Sequence, residues 1–294
     1  MGLFYLSANH IKFTYLIKEQ NEEINVLIKV YIKELFRIMG LILLYDKIIF
    51  IIMKLKYYNL NKLFLKSHPK ITLPSDYIIF ESFQLNYHEF YYGGLDTAKF
   101  IVELISNYIK IDEISILEWG CGPGRIIRHL PSLTNSNCNY FATDYNSKSV
   151  NWCKENIQNI NFDINDLEPP LKYSNNFFDF IYGISVLTHL SEKNYYNWYE
   201  ELIRIIKPNG IILLTTHGEA STEKLKFTDK QIFNNNSIIE KGNTIEGHRT
   251  FTSYAPESFI KNLFSTSSEI IYYKKGEPQD WGIEKDIWII KKTN

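Results

Sequence analysis

Between residues 114 and 216 the chain alternates short apolar runs with longer amphipathic stretches, and this alternation limits the fold more than any other feature. Ile114 to Glu118, Asn139 to Thr143, Ile160 to Ile164, Phe178 to Ile184 and Ile211 to Thr215 read as buried strands bounded by turn residues. A helix is expected to begin over Arg125 to Leu130, a second to cover Ser147 to Asn156, and a third to run from Ser191 to Ile206. The third should stop at Lys207-Pro208-Asn209-Gly210, because proline lacks an N–H and asparagine and glycine tolerate the left-handed region. Strands joined by helices pair in parallel, and the helices cover both faces of the sheet. The tail reads differently. After a helix over Pro256 to Phe264, the runs Glu269 to Tyr273 and Asp286 to Ile290 are separated by a glycine-containing loop with no helix, so they should pair antiparallel.

At 294 residues the chain suits one medium α/β domain with an extension. Its 45% hydrophobic and 15% aromatic content can build a core, which excludes a disordered class. A net charge of −1 gives no global pull toward nucleic acid. Cys121, Cys138 and Cys153 are too few and too irregularly spaced for a disulfide framework or a zinc site, and free thiols fit a reducing cytoplasm. No metal site is expected.

Charge is uneven along the chain. Residues 1–70 hold eleven basic and five acidic side chains, so this basic, mainly helical N-terminal extension opposes an acidic remainder. Ile24, Leu27, Ile28, Tyr31, Ile32 and Leu35 have helical spacing. Three readings stand: an amphipathic helix packed on the main domain or on a second subunit, a basic helix lying on a membrane surface, and a true start further along, at Met39 or Met53. The most apolar stretch, Ile38 to Met53, is broken by Asp46 and Lys47 and falls short of the roughly 20 apolar residues that a spanning helix needs. Pro69 and Pro74 mark residues 71–94 as a connector or lid, with His88 beside Phe83, Tyr87, Phe90, Tyr91 and Tyr92. After a turn at Gly93-Gly94, Asp96 is expected to cap a helix presenting Ile101, Leu104, Ile105 and Tyr108, and the main domain spans 95–294.

Directly after the first strand comes Glu118-Trp119-Gly120-Cys121-Gly122-Pro123-Gly124. Glycines at alternate positions let the backbone turn tightly and approach a ligand closely, and a helix N-terminus that follows favours anionic groups. A dinucleotide loop needs a glycine where Arg125 stands, so this is a different cofactor turn. Asp144 ends the second strand about 20 residues further on, where an acidic side chain accepts hydrogen bonds from ribose hydroxyls. Asn165-Asp166-Leu167 follows the third strand.

In this order and spacing the stretch from Ile116 to Gly218 resembles the class I S-adenosylmethionine-dependent methyltransferases. Phe178-Asp179-Phe180-Ile181, Ser185-Val186-Leu187-Thr188-His189-Leu190 and Lys207-Pro208-Asn209-Gly210 add to the resemblance. It implies a doubly wound, seven-stranded, mostly parallel sheet with an antiparallel last strand, and S-adenosyl-L-methionine as cofactor. Glu118, Gly120, Gly122 and Gly124 would then line its methionine and ribose part. Asp144 would hold the ribose, Tyr145 would flank the adenine, Asp166 with Leu167 would meet its edge, and Ile184 would offer backbone atoms to the amino-acid end.

The implied reaction is an in-line displacement at a sulfonium methyl, and a hydroxyl acceptor needs a base. His189 and His217 lie just past C-terminal strand ends and are the candidates. Residues 219–253 are long for a strand–helix connection and are expected to form an acceptor-site insertion carrying His248, Arg249 and Tyr254. The acceptor reads as a small molecule or a glycan. Against nucleic acid stands Ile184-Ser185-Val186-Leu187, found where amino-methylating DNA enzymes carry a proline-rich motif. A protein acceptor and a non-catalytic methyltransferase-like scaffold are the alternatives.

Overall fold

The computed structural model describes residues 28, 30–134, 137–279 and 282–293. Strands β1 (Ser115–Trp119), β2 (Asn139–Asp144), β3 (Asn161–Ile164), β4 (Phe178–Gly183) and β5 (Ile206–Thr216) join β8 (Ser268–Lys274) and β11 (Asp286–Lys292) in one sheet. Its order is β3-β2-β1-β4-β5-β11-β8. The first five strands are mutually parallel, and β11 runs antiparallel to both β5 and β8. This is the Rossmann-like sheet that the alternating pattern predicts, reversed at its last strand. Between β5 and β8 lie a small hairpin, β6 (Ile239–Lys241) with β7 (Thr252–Tyr254), and a short helix, Phe227–Asn234. A second hairpin, β9 (Pro278–Gln279) with β10 (Gly282–Ile283), occupies the loop before β11.

Strand side chains alternate between faces, so each strand feeds two cores. Leu117, Trp119 and Ile181 pack with Trp198, Leu202 and Ile205 of helix Glu192–Ile205 on one face. Ile116, Phe180 and Tyr182 pack with Ile101 and Ile105 of helix Tyr87–Ile105, and with Val150 and Cys153 of helix Ser147–Asn156, on the other. Every residue named in both cores is buried, which explains why the central strands read as continuous apolar runs.

Three local expectations are corrected. Gly93-Gly94 is no turn: helix Tyr87–Ile105 runs through it, capped by Asn86, whose side chain accepts from the His88 and Glu89 amides, and Asp96 lies inside it. A Cβ on Gly94 would sit 2.3 Å from the Arg125 carbonyl oxygen, so the glycine lets this helix lie against the end of the glycine loop. The boundary expected at residue 95 therefore falls within a helix. Second, Arg125 to Leu130 starts no regular helix; a 3-10 turn, Ile127–His129, precedes the four-residue helix Leu130–Leu133. Pro131 has no N–H to donate back along a helix begun at 125. Third, Lys207-Pro208-Asn209-Gly210 lies inside β5, where Asn209 takes φ +63° and the pairing register shifts beside Phe178 and Phe180. The breaker ends the helix at Ile205 and then forms a bulge.

Within the extension, residues 30–38 and Ile42–Ser67 are helical, while Ile24 and Leu27 lie outside the described residues. The long helix packs Ile49, Phe50 and Met53 onto Ile79, Phe80, Leu85 and Phe90, a third core built around helix Asp76–Ser82. Phe90 thus belongs to this core, and His88 is exposed. Among the described residues, no helix is long and apolar enough to cross a membrane.

Candidate active site

The glycine loop leaves β1 and is tied at once to the neighbouring strand: the Gly120 and Cys121 amides donate to the Thr143 carbonyl at 2.8 and 3.0 Å. Gly120 takes φ +75°, and a Cβ there would lie 2.3 Å from Val186 Cγ2. At this position the glycine is required both by backbone sign and by the close approach of a second segment. One turn on, the Gly122 N–H donates to Asp144 Oδ2 at 2.7 Å, while the other carboxylate oxygen accepts the Asn146 N–H at 2.8 Å. Asp144 is buried, which raises its pKa, and the two amides pull in the opposite direction. The carboxylate therefore stands fixed at the C-terminal end of β2, the side on which open α/β sheets bind ligands.

A cavity of about 150 Å³ opens here. Of the residues expected to hold the cofactor, Gly120, Gly122, Asp144, Tyr145, Leu167 and Ile184 line it. Three do not. Glu118 is 3% exposed and accepts the Ile127 N–H at 3.0 Å, fixing the turn that follows the loop; burial pushes its pKa up to about 8. Gly124, at φ +68°, faces Ile157 and Cys153, so it packs the loop on helix Ser147–Asn156. Asp166 is exposed, and its neighbour Asn165 takes the wall, accepting from Thr143 Oγ1 at 2.6 Å.

His189 also lines the cavity, at the end of the 3-10 turn Leu187–His189. Its Nδ1 lies 2.7 Å from the Phe251 carbonyl oxygen, which only accepts, so Nδ1 carries the proton and Nε2 is the ring's acceptor. Burial pushes its pKa down to about 4, so the ring is neutral near pH 7. His217 takes no part in the wall. Its Nδ1 lies 3.1 Å from the Ser253 carbonyl oxygen, and its ring stacks on Tyr254 at 5.2 Å.

Residues 219–253 supply Gly247, His248 and Arg249 to the wall. This stretch is pinned to the sheet domain: the Gly247 N–H donates to the His189 carbonyl at 2.9 Å. Glu246 Oε1 accepts from the Ser191 amide, the Ser191 hydroxyl and the Asn194 side chain at the start of helix Glu192–Ile205. Arg249 lies over the Phe80 ring, 3.8 Å from its centre, and 3.8 Å from the Asp46 carboxylate. Glu81 and Ser82 come from the end of helix Asp76–Ser82, and Trp119 and Trp198 also line the cavity, their rings 4.9 Å apart. Neither Glu81 nor Ser82 carries a motif that sequence reasoning could have used.

These walls fit an adenosyl sulfonium. Asp144 presents a fixed carboxylate with lone pairs beyond its two amide bonds, Tyr145 and Leu167 offer flat and apolar flanks, and Gly120 and Gly122 contribute to the wall. Among the described residues, no group of three His, Cys, Asp or Glu side chains is placed to hold a metal ion.

Comparison with known proteins agrees with this geometry. A family model described as a methyltransferase domain matches residues 110–274. The chain is 28% identical over 167 residues to a protein of Schizosaccharomyces pombe named tRNA N(3)-methylcytidine methyltransferase trm140, covering 54% of this chain and 52% of that one. It is 32% identical over 123 residues to the ubiquinone biosynthesis O-methyltransferase of Rickettsia canadensis, covering 40% and 49%. The chain thus spans about half the length of the curated relatives it matches. Among solved structures, a methyltransferase from Methanosarcina mazei superposes with a TM-score of 0.51 at 20% identity, covering 65% of this chain and 97% of that one. Magnesium protoporphyrin IX methyltransferase from Synechocystis gives 0.50 at 12% identity, covering 83% and 99%. At these identities the structural likeness shows the fold. With the family match spanning more than half of its length, the chain belongs to the methyltransferase domain family.

Proposed function

We propose that this methyltransferase acts on a small-molecule or sugar acceptor, at a hydroxyl whose proton passes to His189 Nε2. The observation that carries this reading is the His189–Phe251 hydrogen bond, which fixes the tautomer with Nε2 as the acceptor nitrogen of a neutral ring on the cavity wall. Bound S-adenosylmethionine supplies a methyl group on a sulfonium, a leaving group that needs no further activation. The chain's residues then have three tasks. Asp144, the Gly120–Gly122 backbone, Tyr145, Leu167 and Ile184 hold the cofactor in one orientation, which converts a bimolecular displacement into an aligned one. Trp119, Leu190 and Trp198 exclude water from the acceptor oxygen. His189 takes the proton as the oxygen attacks.

The wall composition supports a small neutral acceptor. Two carboxylates, Glu81 and Asp144, line the cavity, and its one arginine is engaged by Asp46 and by the Phe80 ring and carbonyl. A polyphosphate chain would meet more negative than available positive charge there. The test is transfer of labelled methyl from S-adenosylmethionine to panels of hydroxylated metabolites, glycans, bulk tRNA and proteins. Label found in tRNA or protein alone would overturn the acceptor class. A histidine-independent rate would overturn the base.

A further inference from the structure

The outward face of helix Ile42–Ser67 is apolar where a water-facing helix should be polar. Its inward stripe is Ile42, Asp46, Met53, Asn61 and Phe64, at helical spacing and packed on the protein. Opposite that stripe run Leu44, Ile48, Ile51 and Leu55, spaced by four, three and four residues; Ile51 is 57% and Leu55 74% exposed. The residues before the helix continue the pattern, with Tyr31 63% and Ile38 69% exposed. Contiguous exposed apolar surface of this kind marks an interaction site rather than scatter.

Charge identifies the occupant. The helix carries five lysines and one acidic residue. Asp46, that acid, is buried beneath the helix near Arg249, and Glu34 of the preceding segment is turned to Arg37. Between residues 30 and 70 no exposed carboxylate is therefore presented, while Lys47, Lys56, Lys62 and Lys66 are exposed. Lys47 and Lys56 stand to either side of the Leu44–Leu55 stripe, where long stems can lie along apolar groups with the ammonium at their edge. Two copies meeting symmetrically through this face would oppose lysine to lysine. An apolar stripe bordered by lysines matches a bilayer with anionic headgroups, into which such a helix sinks parallel to the surface.

We propose that the outward face of Ile42–Ser67, together with residues 30–38, docks the enzyme onto anionic lipid bilayers. The same helix holds Asp46 against Arg249 in the cavity wall, so the docked surface and the cavity share one rigid element. This assignment is independent of the acceptor and of His189.

The test is flotation of the full chain with vesicles of phosphatidylcholine alone or of phosphatidylcholine mixed with phosphatidylglycerol. Binding is expected to the mixed vesicles, weakly or not at all to phosphatidylcholine. It should fall as salt rises from about 0.1 M to about 1 M, which shortens the Debye length from about 10 to about 3 Å. Ile48→Asn with Ile51→Asn and Leu55→Asn, and separately Lys47→Glu with Lys56→Glu and Lys62→Glu, should each lower the bound fraction at least tenfold. Unchanged S-adenosylmethionine affinity and melting temperature in these variants would show intact folding. A wild-type chain that stays unbound to mixed vesicles at low salt overturns the proposal. So does a lipid-indifferent dimer that the asparagine variant dissociates in sedimentation.

Discussion

The Asp144 carboxylate and the Gly122 amide lie 2.7 Å apart and join the glycine loop of one strand to the acidic end of the next. Asp144 thereby serves both the loop and the cavity wall. Asp144→Ala removes two amide acceptors and the charge, and hydrogen bonds to charged groups are worth about 1.5–3 kcal/mol each. Calorimetric titration is expected to show S-adenosylmethionine binding weakened about 10- to 100-fold, with Asp144→Asn in between. Unchanged affinity in the alanine variant would sink the ribose assignment.

His189→Gln should separate binding from chemistry. The ring lines the cavity and is assigned to the acceptor rather than to the cofactor, so cofactor affinity is expected within about twofold of wild type while kcat falls about 10²–10³-fold. With a pKa pushed down to about 4, the imidazole is neutral above that value, so wild-type kcat/KM should decline only as pH falls toward about 4. Added imidazole should restore part of the rate of His189→Ala. Equal loss of affinity and rate in both variants would instead make His189 a structural residue, through its bond to Phe251.

How much of this site was legible depended on how local its cause was. Gly120, Gly122, Asp144 and Tyr145 are set by a strand, a tight turn and the next strand end, all within thirty residues and all written in residue types that such turns demand. The parallel pairing followed from the same alternation, and the reversed strand from the missing crossover helix. Glu81 and Ser82 reach the cavity only because helix Asp76–Ser82 packs against the N-terminal helix, a long-range event without a local signal. Gly93-Gly94 shows the converse limit. Two glycines look alike whether they serve a turn or admit a neighbour, and the neighbour here is Arg125, distant in sequence. His189 and His217 were equivalent by position; the backbone carbonyls they meet, Phe251 and Ser253, come from β7 and its approach, and only His189 is left on the cavity wall.

His129 should make stability pH-dependent. It is 5% exposed, its Nε2 has no hydrogen-bond partner among the described residues, and burial lowers its pKa from 6.5 to about 4. The unfolded chain takes up a proton below about 6.5 that the folded chain refuses until about 4. Its contribution is therefore complete above about pH 6.5 and lost as pH falls toward 4. Urea denaturation at about pH 7 and about pH 5 should show wild type losing about 2 kcal/mol more than His129→Asn across that interval. Equal losses would mean that His129 titrates normally in the fold.

Arg37 should act as a brace between the N-terminal segment and the cavity wall. It is 4% exposed and donates to three carbonyls: Lys241 at 2.7 Å, Gly242 at 2.5 Å and Thr250 at 2.8 Å. These residues flank the stretch carrying Gly247, His248 and Arg249. Arg37→Met keeps the apolar stem but leaves three carbonyls without their donor, which is expected to cost about 3 kcal/mol. Because the loss is local, amide exchange should accelerate over residues 241–251 while the amides of β1, β4 and β5 keep their protection. Arg37→Lys should not rescue, since one ammonium cannot span the geometry of the guanidinium fork. Uniform acceleration across the sheet would make Arg37 a general stability residue, and no change at 241–251 would remove the brace altogether.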